Sequence, residues 1–299
     1  MIYLLTLIML AFFAFKYDFL KTHDGKPGLI EKGSYNVALI SLIAIAGLRY
    51  KVGGDTFTYM ESFEDIPFIW DFKNFDFSTA TFDPLWFVFS SISKSIINDF
   101  VFFQILHAIF INVIIFKFFK KFTSFKFTAV LIYYLFLYEY FNMEIMRESL
   151  AICMLLLSYS FLETKKWYKY YLYALIGFLF HSSAIAMLIL PLLYNRKFKL
   201  VPVLILSALL LIILLLPEEF KTIMSLALFN DRLSTRFFLY SEVSLNQNGV
   251  LLLAVVYILV PGLLILLSER YLIGKPVFRK MYFAYFCMAI IILGFSGFT

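Results

Sequence analysis

A cluster of polar residues follows the second apolar run of the chain, between 47 and 59. It combines two cations, a glycine pair and an acid, which are Arg49, Lys51, Gly53, Gly54 and Asp55. A basic anchor at the membrane surface followed by a turn would account for part of this pattern. An anchor needs only one cation, however. The cluster therefore predicts a polar site at the membrane surface that binds an anionic head group.

Three further arginines are suited to an anionic ligand such as a diphosphate. Arg147 stands at the start of an apolar run, three residues after Glu144, while Arg232 and Arg236 are four residues apart and would share a helix face. A guanidinium binds two oxygens in one plane and keeps its charge. The alternatives are an i,i+3 surface ion pair for Arg147 and a solvated loop for the other two.

One histidine is a candidate for proton transfer. His181 lies in the middle of the apolar run 169–194 and is followed by Ser182 and Ser183. An imidazole can take and give a proton near neutral pH, so His181 is the candidate base. A lone histidine in a helix is more often a packing residue. His107 lacks comparable polar neighbours and is interpreted as structural.

The elements that must position these residues are membrane helices. Of 299 residues, 62% are hydrophobic and only 15% are charged. A soluble core cannot bury so much apolar surface, and helices satisfy their own backbone hydrogen bonds in lipid. The predicted fold is all-α, a polytopic transmembrane helical bundle with about 9–10 hydrophobic segments. It is expected to form a single integral-membrane domain, 1–299.

The sequence argues against nucleotide and nucleic-acid chemistry and shows no obvious metal cluster. Cys153 and Cys287 both lie in apolar runs, without metal-ligand spacing or a disulfide framework. The three histidines form no metal motif, and no nucleotide-binding glycine loop is present. Lysines and arginines are scattered between apolar runs, so the net charge of +6 favours anionic lipid over nucleic acid. No cofactor and no metal are predicted.

The distribution of lysine and arginine predicts the orientation, because basic loops stay in the cytoplasm. The basic loops are 16–32, 117–126, 163–169, 196–199 and 270–280. Acidic or mixed loops at about 49–81, 139–147 and 218–248 are expected to face outward. The first run, 1–15, is interpreted as a retained helix with its N-terminus outside. Since no charged flank follows the last apolar run, a further C-terminal segment is expected.

Two apolar runs do not fit a simple alternation of spans. The run 82–98 has one apolar and one serine-rich face. It is either a helix that lies in the interface or a spanning helix whose serines face a polar interior. The run 169–194 has basic residues on both sides. It is either a broken or re-entrant pair of short helices, which would place His181 at membrane depth, or one long tilted helix.

Three segments match the pattern of a known family in order and spacing. The most specific is G-L-R-Y-x-V-G-x-D-x-x-x-Y, from Gly47 to Tyr59. The others are 142–147 with Ala151, and 180–184. Together they resemble the EpsG family of Wzy-type polysaccharide polymerases. Glu148 departs from the family, in which glutamine is common after the arginine.

The resemblance implies a multi-pass enzyme of the bacterial cytoplasmic (inner) membrane that makes exopolysaccharide, capsule or O-antigen. Such an enzyme transfers a growing glycan from undecaprenyl diphosphate onto a lipid-linked repeat unit at the outer face. Its implied partners are the polyprenyl-diphosphate-linked oligosaccharide, membrane lipid, a chain-length regulator and a flippase. No cofactor is implied, because the sugar–diphosphate bond supplies the driving force.

This reaction assigns roles to the candidate residues. Cations must stabilise the departing diphosphate, and a base must take the proton of the attacking hydroxyl. His181 is the candidate base, with Asp55 as its rival. The predicted substrate-binding residues are Arg49, Tyr50, Tyr59, Arg147, Arg232 and Arg236.

Two other functions fit the same sequence features. A membrane O-acyltransferase of surface glycans would also use a histidine in the membrane, and would change acetylation but not chain length. A flippase or transporter of lipid-linked oligosaccharides would have a continuous cationic cavity and often internal repeats. The two halves of this chain show no convincing repeat, which argues against the transporter.

Overall fold

The computed structural model describes residues 1–20, 28–74, 83–188, 190 and 191. These residues form α-helices joined by short 3₁₀ and π turns, and none of them is in a strand. The all-α prediction is therefore confirmed. The chain divides after Met187, and the elements described below belong to the first unit, Met1–Met187, apart from Leu188 at the end of the last 3₁₀ turn. The single domain over 1–299 stays a prediction.

The helices of the described residues pack around α5, which contacts α2, α4, α6 and α7. In chain order they are α1 (Ile2–Ala14), α2 (Leu29–Gly47), α3 (Thr56–Asp65), α4 (Pro84–Ile96), α5 (Phe100–Phe122), α6 (Lys126–Phe136), α7 (Met146–Glu163) and α8 (Trp167–Phe180). π turns cover Phe15–Phe19 and Tyr140–Glu144, and 3₁₀ turns cover Ile69–Asn74 and Ser182–Leu188.

Three of the described helical segments are long and apolar enough to cross a membrane. They are Ile2–Phe19, Leu29–Gly47 and Phe100–Phe122, and the shorter Lys126–Phe136 is also apolar. A span needs roughly 20 apolar residues, which these segments approach or exceed. The prediction of a helical membrane protein is confirmed, while the total number of spans stays a prediction.

The run 82–98 forms α4, which at 13 residues is about 20 Å long and too short to cross the bilayer core. Its polar face is buried in protein. Ser91 Oγ donates to Pro67 O (2.8 Å), while Ile92 and Ile96 are exposed. The Lys94 ammonium closes the C-terminal end of α3 by donating to the carbonyls of Phe63, Glu64 and Ile66. α4 is thus shorter than a span and its serine face is buried in protein, while its placement in the membrane interface stays a prediction.

The run 169–194 is broken at His181, as one of the two interpretations predicted. α8 ends at Phe180, His181 is extended (φ −163°, ψ 136°), and a 3₁₀ turn follows. Gly177 allows the segment after the break to pack closely on α8, because a Cβ there would lie 3.3 Å from both Ala184 Cβ and Met187 Sδ. Whether this break is re-entrant in the membrane stays a prediction.

A closed ring of buried hydrogen bonds holds the π turn Tyr140–Glu144 in place. Asn112 Nδ2 donates to Asn142 Oδ1 (2.8 Å), Asn142 Nδ2 donates to the Tyr133 hydroxyl (2.8 Å), and that hydroxyl donates to Asn112 Oδ1 (3.2 Å). A buried network whose members are all paired is rigid. Since α7 follows this turn directly, the ring also fixes where α7 begins.

Candidate functional site

Two side chains from separate parts of the chain, those of Arg147 and His181, meet at the carboxylate of Asp83. His181 Nδ1 donates to Asp83 Oδ2 at 3.0 Å, and Arg147 Nη1 lies 3.6 Å from the same oxygen. The side chains of Asp83, Arg147 and His181 are 21%, 25% and 27% exposed. A ligand can therefore reach all three, although most of each side chain is buried. We refer to these three residues as the Asp83 cluster.

His181 reaches the cluster because α8 ends directly before it. The His181 amide still donates to Gly177 O (2.9 Å), and Ala184 N donates back to His181 O (3.1 Å). Ser183 Oγ donates to Glu148 Oε1 (3.1 Å), which ties the turn after His181 to α7. Backbone and side-chain contacts on both sides of the break thus hold the imidazole in place.

Arg147 is positioned by the packing at the start of α7. The wholly buried His107 donates from Nε2 to Met146 O (2.9 Å), and Ser149 Oγ donates to the same carbonyl (2.9 Å). A carbonyl only accepts, so the Nε2 nitrogen carries the hydrogen. This arrangement agrees with the structural role expected for His107. It also places Arg147, in the first turn of α7, next to Asp83 at the start of α4.

The glycines of the 47–59 segment are explained by close packing. A Cβ at Gly47 would lie 2.9 Å from the backbone of Ile105 in α5. Gly53 has φ +111°, and a Cβ there would lie 2.9 Å from Met143 O. The Gly54 amide donates to Glu144 Oε1 at 2.8 Å. The segment therefore supports the turn that leads into α7, and so supports Arg147 indirectly.

Arg49 is buried within the 47–59 segment and is only 6% exposed. Its Nη1 donates to Ala46 O (2.6 Å) at the end of α2, and its Nε donates to Val52 O (3.2 Å). Burial lowers the pKa of Arg49 to about 10, so the side chain keeps its charge at neutral pH. The guanidinium of Arg49 donates to backbone carbonyls of its own part of the chain. Its predicted contact with substrate stays a prediction.

Tyr59 and Asp55 lie beside Arg147. The Tyr59 hydroxyl donates to Glu144 O (3.2 Å), and its ring packs on Trp86. Burial raises the pKa of Tyr59, and Arg147 opposes this rise. Burial and the Glu144 carboxylate likewise raise the pKa of Asp55, again opposed by Arg147. Both predicted residues are thus within electrostatic range of the Asp83 cluster.

The remaining predicted residues do not join the cluster in the described structure. Tyr50 is 75% exposed, with the ammonium of Lys51 5.3 Å from its ring centroid. Arg232 and Arg236 lie outside the described residues, so their binding roles stay predictions. Among the residues that the structure describes, no group of three acidic, histidine or cysteine side chains could hold a metal ion.

Sequence reasoning missed Asp83. An aspartate directly before a proline is the usual signal for the start of a helix, so a capping role would have been inferred. The structure places Asp83 at that position of α4, but its side chain makes no capping hydrogen bond. Its partner His181 is 98 residues further along the chain. No local pattern connects residues that far apart.

The Asp83 cluster contains a cation, Arg147, and a histidine that is hydrogen-bonded to a carboxylate, as in a general base. The carboxylate accepts the Nδ1 hydrogen of His181, so that ring presents the Nε2 lone pair, which can take a proton. Arg147, beside it, can bind and stabilise an anion. Such an arrangement suits a transfer in which a hydroxyl loses its proton while an anionic group departs.

One comparison with known proteins gives a match. The model of the EpsG family matches residues 34–299, a range that includes Asp83, Arg147 and His181. No curated protein and no solved structure matches the chain.

Proposed function

Because the chain belongs to the EpsG family, we propose that it is a glycosyltransferase-type polymerase of surface polysaccharide. Family membership suggests a polysaccharide polymerase-type role in a membrane protein. The finer proposal is that it transfers a glycan from its polyprenyl diphosphate onto a lipid-linked oligosaccharide. The reaction would take place at the outer face of the bacterial cytoplasmic membrane, in a multi-pass protein.

The observation that supports this proposal is that Arg147 and His181 both contact Asp83 Oδ2. In the proposed reaction, the acceptor hydroxyl gives its proton to His181 Nε2 as its oxygen bonds to the anomeric carbon of the donor. The bond from that carbon to the diphosphate breaks, and its electron pair leaves with the diphosphate. Arg147 stabilises the negative charge that grows there. Base and cation must therefore be close together, as these two residues are.

The position of Arg147 in the first turn of α7 adds to this stabilisation. Backbone amides at a helix N-terminus have no partner within the helix and carry partial positive charge. A diphosphate bound to Arg147 would also lie near these amides, which favour phosphate groups. Candidate partners are a flippase that delivers the lipid-linked unit and a chain-length regulator.

The experiment that tests the function is the length distribution of lipid-linked glycan in a deletion strain. We expect deletion to leave single repeat units, and complementation with the wild-type chain to restore a ladder. A ladder that survives deletion but loses acetyl groups would indicate an acyltransferase. Absence of any lipid-linked unit from the outer leaflet would indicate a flippase. Either of these two results would contradict the polymerase proposal.

The contact between Glu148 and Ser183 gives a prediction about the residue that departs from the family pattern. In Glu148→Gln the amide oxygen can still accept from Ser183 Oγ, so we expect chain extension within about twofold of wild type. In Glu148→Leu that acceptor is lost and the Ser183 hydroxyl is left without it, so we expect a loss of roughly tenfold. The measurement is the initial rate of chain extension at matched protein level. Equal rates for the two variants would contradict the positioning role of this contact.

A further inference from the structure

Asp83 stands at a capping position without capping. It directly precedes α4, whose first residue is Pro84. An aspartate at this position usually accepts a hydrogen bond from an amide of the first helical turn, which stabilises the helix. Asp83 makes no such bond, and its contacts with Arg147 and His181 both use Oδ2. The carboxylate therefore contacts residues from other parts of the chain instead of capping α4.

We propose that Asp83 is a positioning residue that exchanges partners when the donor binds. In the free protein it holds both His181 and Arg147. The donor diphosphate then takes Arg147 from it, while Asp83 keeps His181. This inference rests on the proposed function, because it takes a diphosphate as the ligand of Arg147.

The contact with His181 is the one that persists. At 3.0 Å it is a direct hydrogen bond, and since a carboxylate only accepts, Nδ1 carries the hydrogen. The tautomer is thereby fixed with the lone pair on Nε2, the form in which the ring can act as a base. After the ring takes a proton, the same carboxylate stabilises the imidazolium. Asp83 thus acts through His181 and does not itself contact the reacting atoms.

The contact with Arg147 is the one that yields. At 3.6 Å it is longer than a hydrogen bond, so it holds the guanidinium by charge attraction alone. A diphosphate carries more negative charge than a carboxylate and offers two oxygens to the planar fork of the guanidinium. It should therefore displace Asp83. Because Asp83 is an anion beside an anion-binding site, its charge also opposes donor binding.

Partner exchange predicts opposite effects on binding and turnover in Asp83→Asn. Removal of the charge should tighten binding of a diphosphate by about fivefold. The amide can donate to His181 Nδ1 and so favour the hydrogen on Nε2, and turnover should fall on the order of 10³-fold. A purely structural role for Asp83 would weaken binding and turnover together.

The test uses the purified full-length protein in detergent, with farnesyl diphosphate as the probe. Calorimetry gives its affinity for wild type, Asp83→Asn, Arg147→Gln and Asp99→Asn. The last is the matched control, since Asp99 precedes α5, accepts from Val101 N and Phe102 N, and asparagine also caps helices. Nitrogen-15 NMR of labelled histidine reports the tautomer of His181, with the signal assigned by loss in His181→Gln.

We expect tighter binding and a hydrogen on Nε2 in Asp83→Asn, weaker binding in Arg147→Gln, and wild-type behaviour in Asp99→Asn. Unchanged or weaker binding in Asp83→Asn overturns the partner exchange. An unchanged Nδ1–H tautomer overturns the orienting role of Asp83. Equal binding by wild type and Arg147→Gln overturns the exchange as well, because Arg147 would then not be the ligand of the diphosphate. None of these outcomes depends on the glycan ladder, which tests the polymerase function separately.

Discussion

Replacing Arg147 with glutamine is expected to reduce glycan chain extension by about 10²–10³-fold and to leave the protein level in the membrane unchanged. The side chain is a quarter exposed, so its loss affects a ligand more than the packing of the helices. Glutamine is uncharged and cannot offset the charge that develops on the leaving diphosphate. The measurement is the length distribution and yield of lipid-linked glycan at matched protein level.

Two further variants sharpen the Arg147 result. Arg147→Lys keeps the charge but loses the planar fork, so we expect activity between those of glutamine and wild type. Lys120→Gln makes the same change of net charge at an exposed position near the end of α5, and should behave as wild type. Full polymer length and yield in Arg147→Gln would show that the diphosphate role is wrong.

The second large effect is expected for His181→Gln, with a loss of about 10²–10⁴-fold in the rate of chain extension. The glutamine amide can still donate a hydrogen bond to Asp83, so the local structure should persist. It cannot take a proton from the acceptor hydroxyl. The measurement is the initial rate with a purified lipid-linked repeat unit, together with thermal stability to confirm folding.

Asp55→Asn distinguishes the two candidate bases. Asp55 is also within electrostatic range of Arg147, and its pKa is raised by burial and by Glu144. If His181 is the base, Asp55→Asn should keep at least about a tenth of the wild-type rate, because the variant loses only the electrostatic interaction of Asp55 with Arg147. A normal rate in His181→Gln combined with a large loss in Asp55→Asn would assign the proton transfer to Asp55 instead.

The class of protein, the family resemblance and two of the three residues in the Asp83 cluster, Arg147 and His181, could be predicted from the sequence. A membrane composition, an arginine at a helix start and a histidine between serines and apolar residues are local properties of the chain, whereas the break at His181 stayed one of two alternatives. They follow from hydrophobicity and backbone preference over short stretches. Such properties can be inferred without knowing which helices become neighbours.

The tertiary structure decided which cation is available to a ligand. Arg49 and Arg147 look equivalent in the sequence, since Arg49 directly follows one apolar run and Arg147 stands at the start of another. Packing buries Arg49 against the carbonyls of Ala46 and Val52 and leaves Arg147 partly exposed. The glycines around Arg49 likewise suggest an anion-binding loop, whereas in the structure they allow close contact with α5 and with Met143 and Glu144.

Only the tertiary structure could identify Asp83. Its neighbours in sequence predict a helix cap, and its contacts come from α7 and from the break after α8. These contacts exist because the starts of α4 and α7 lie close to the end of α8 in the packed unit, a consequence of side-chain packing between the helices. A linear pattern reports what a residue does to its own helix, while the partners of a charge are set by which helix ends the fold brings together.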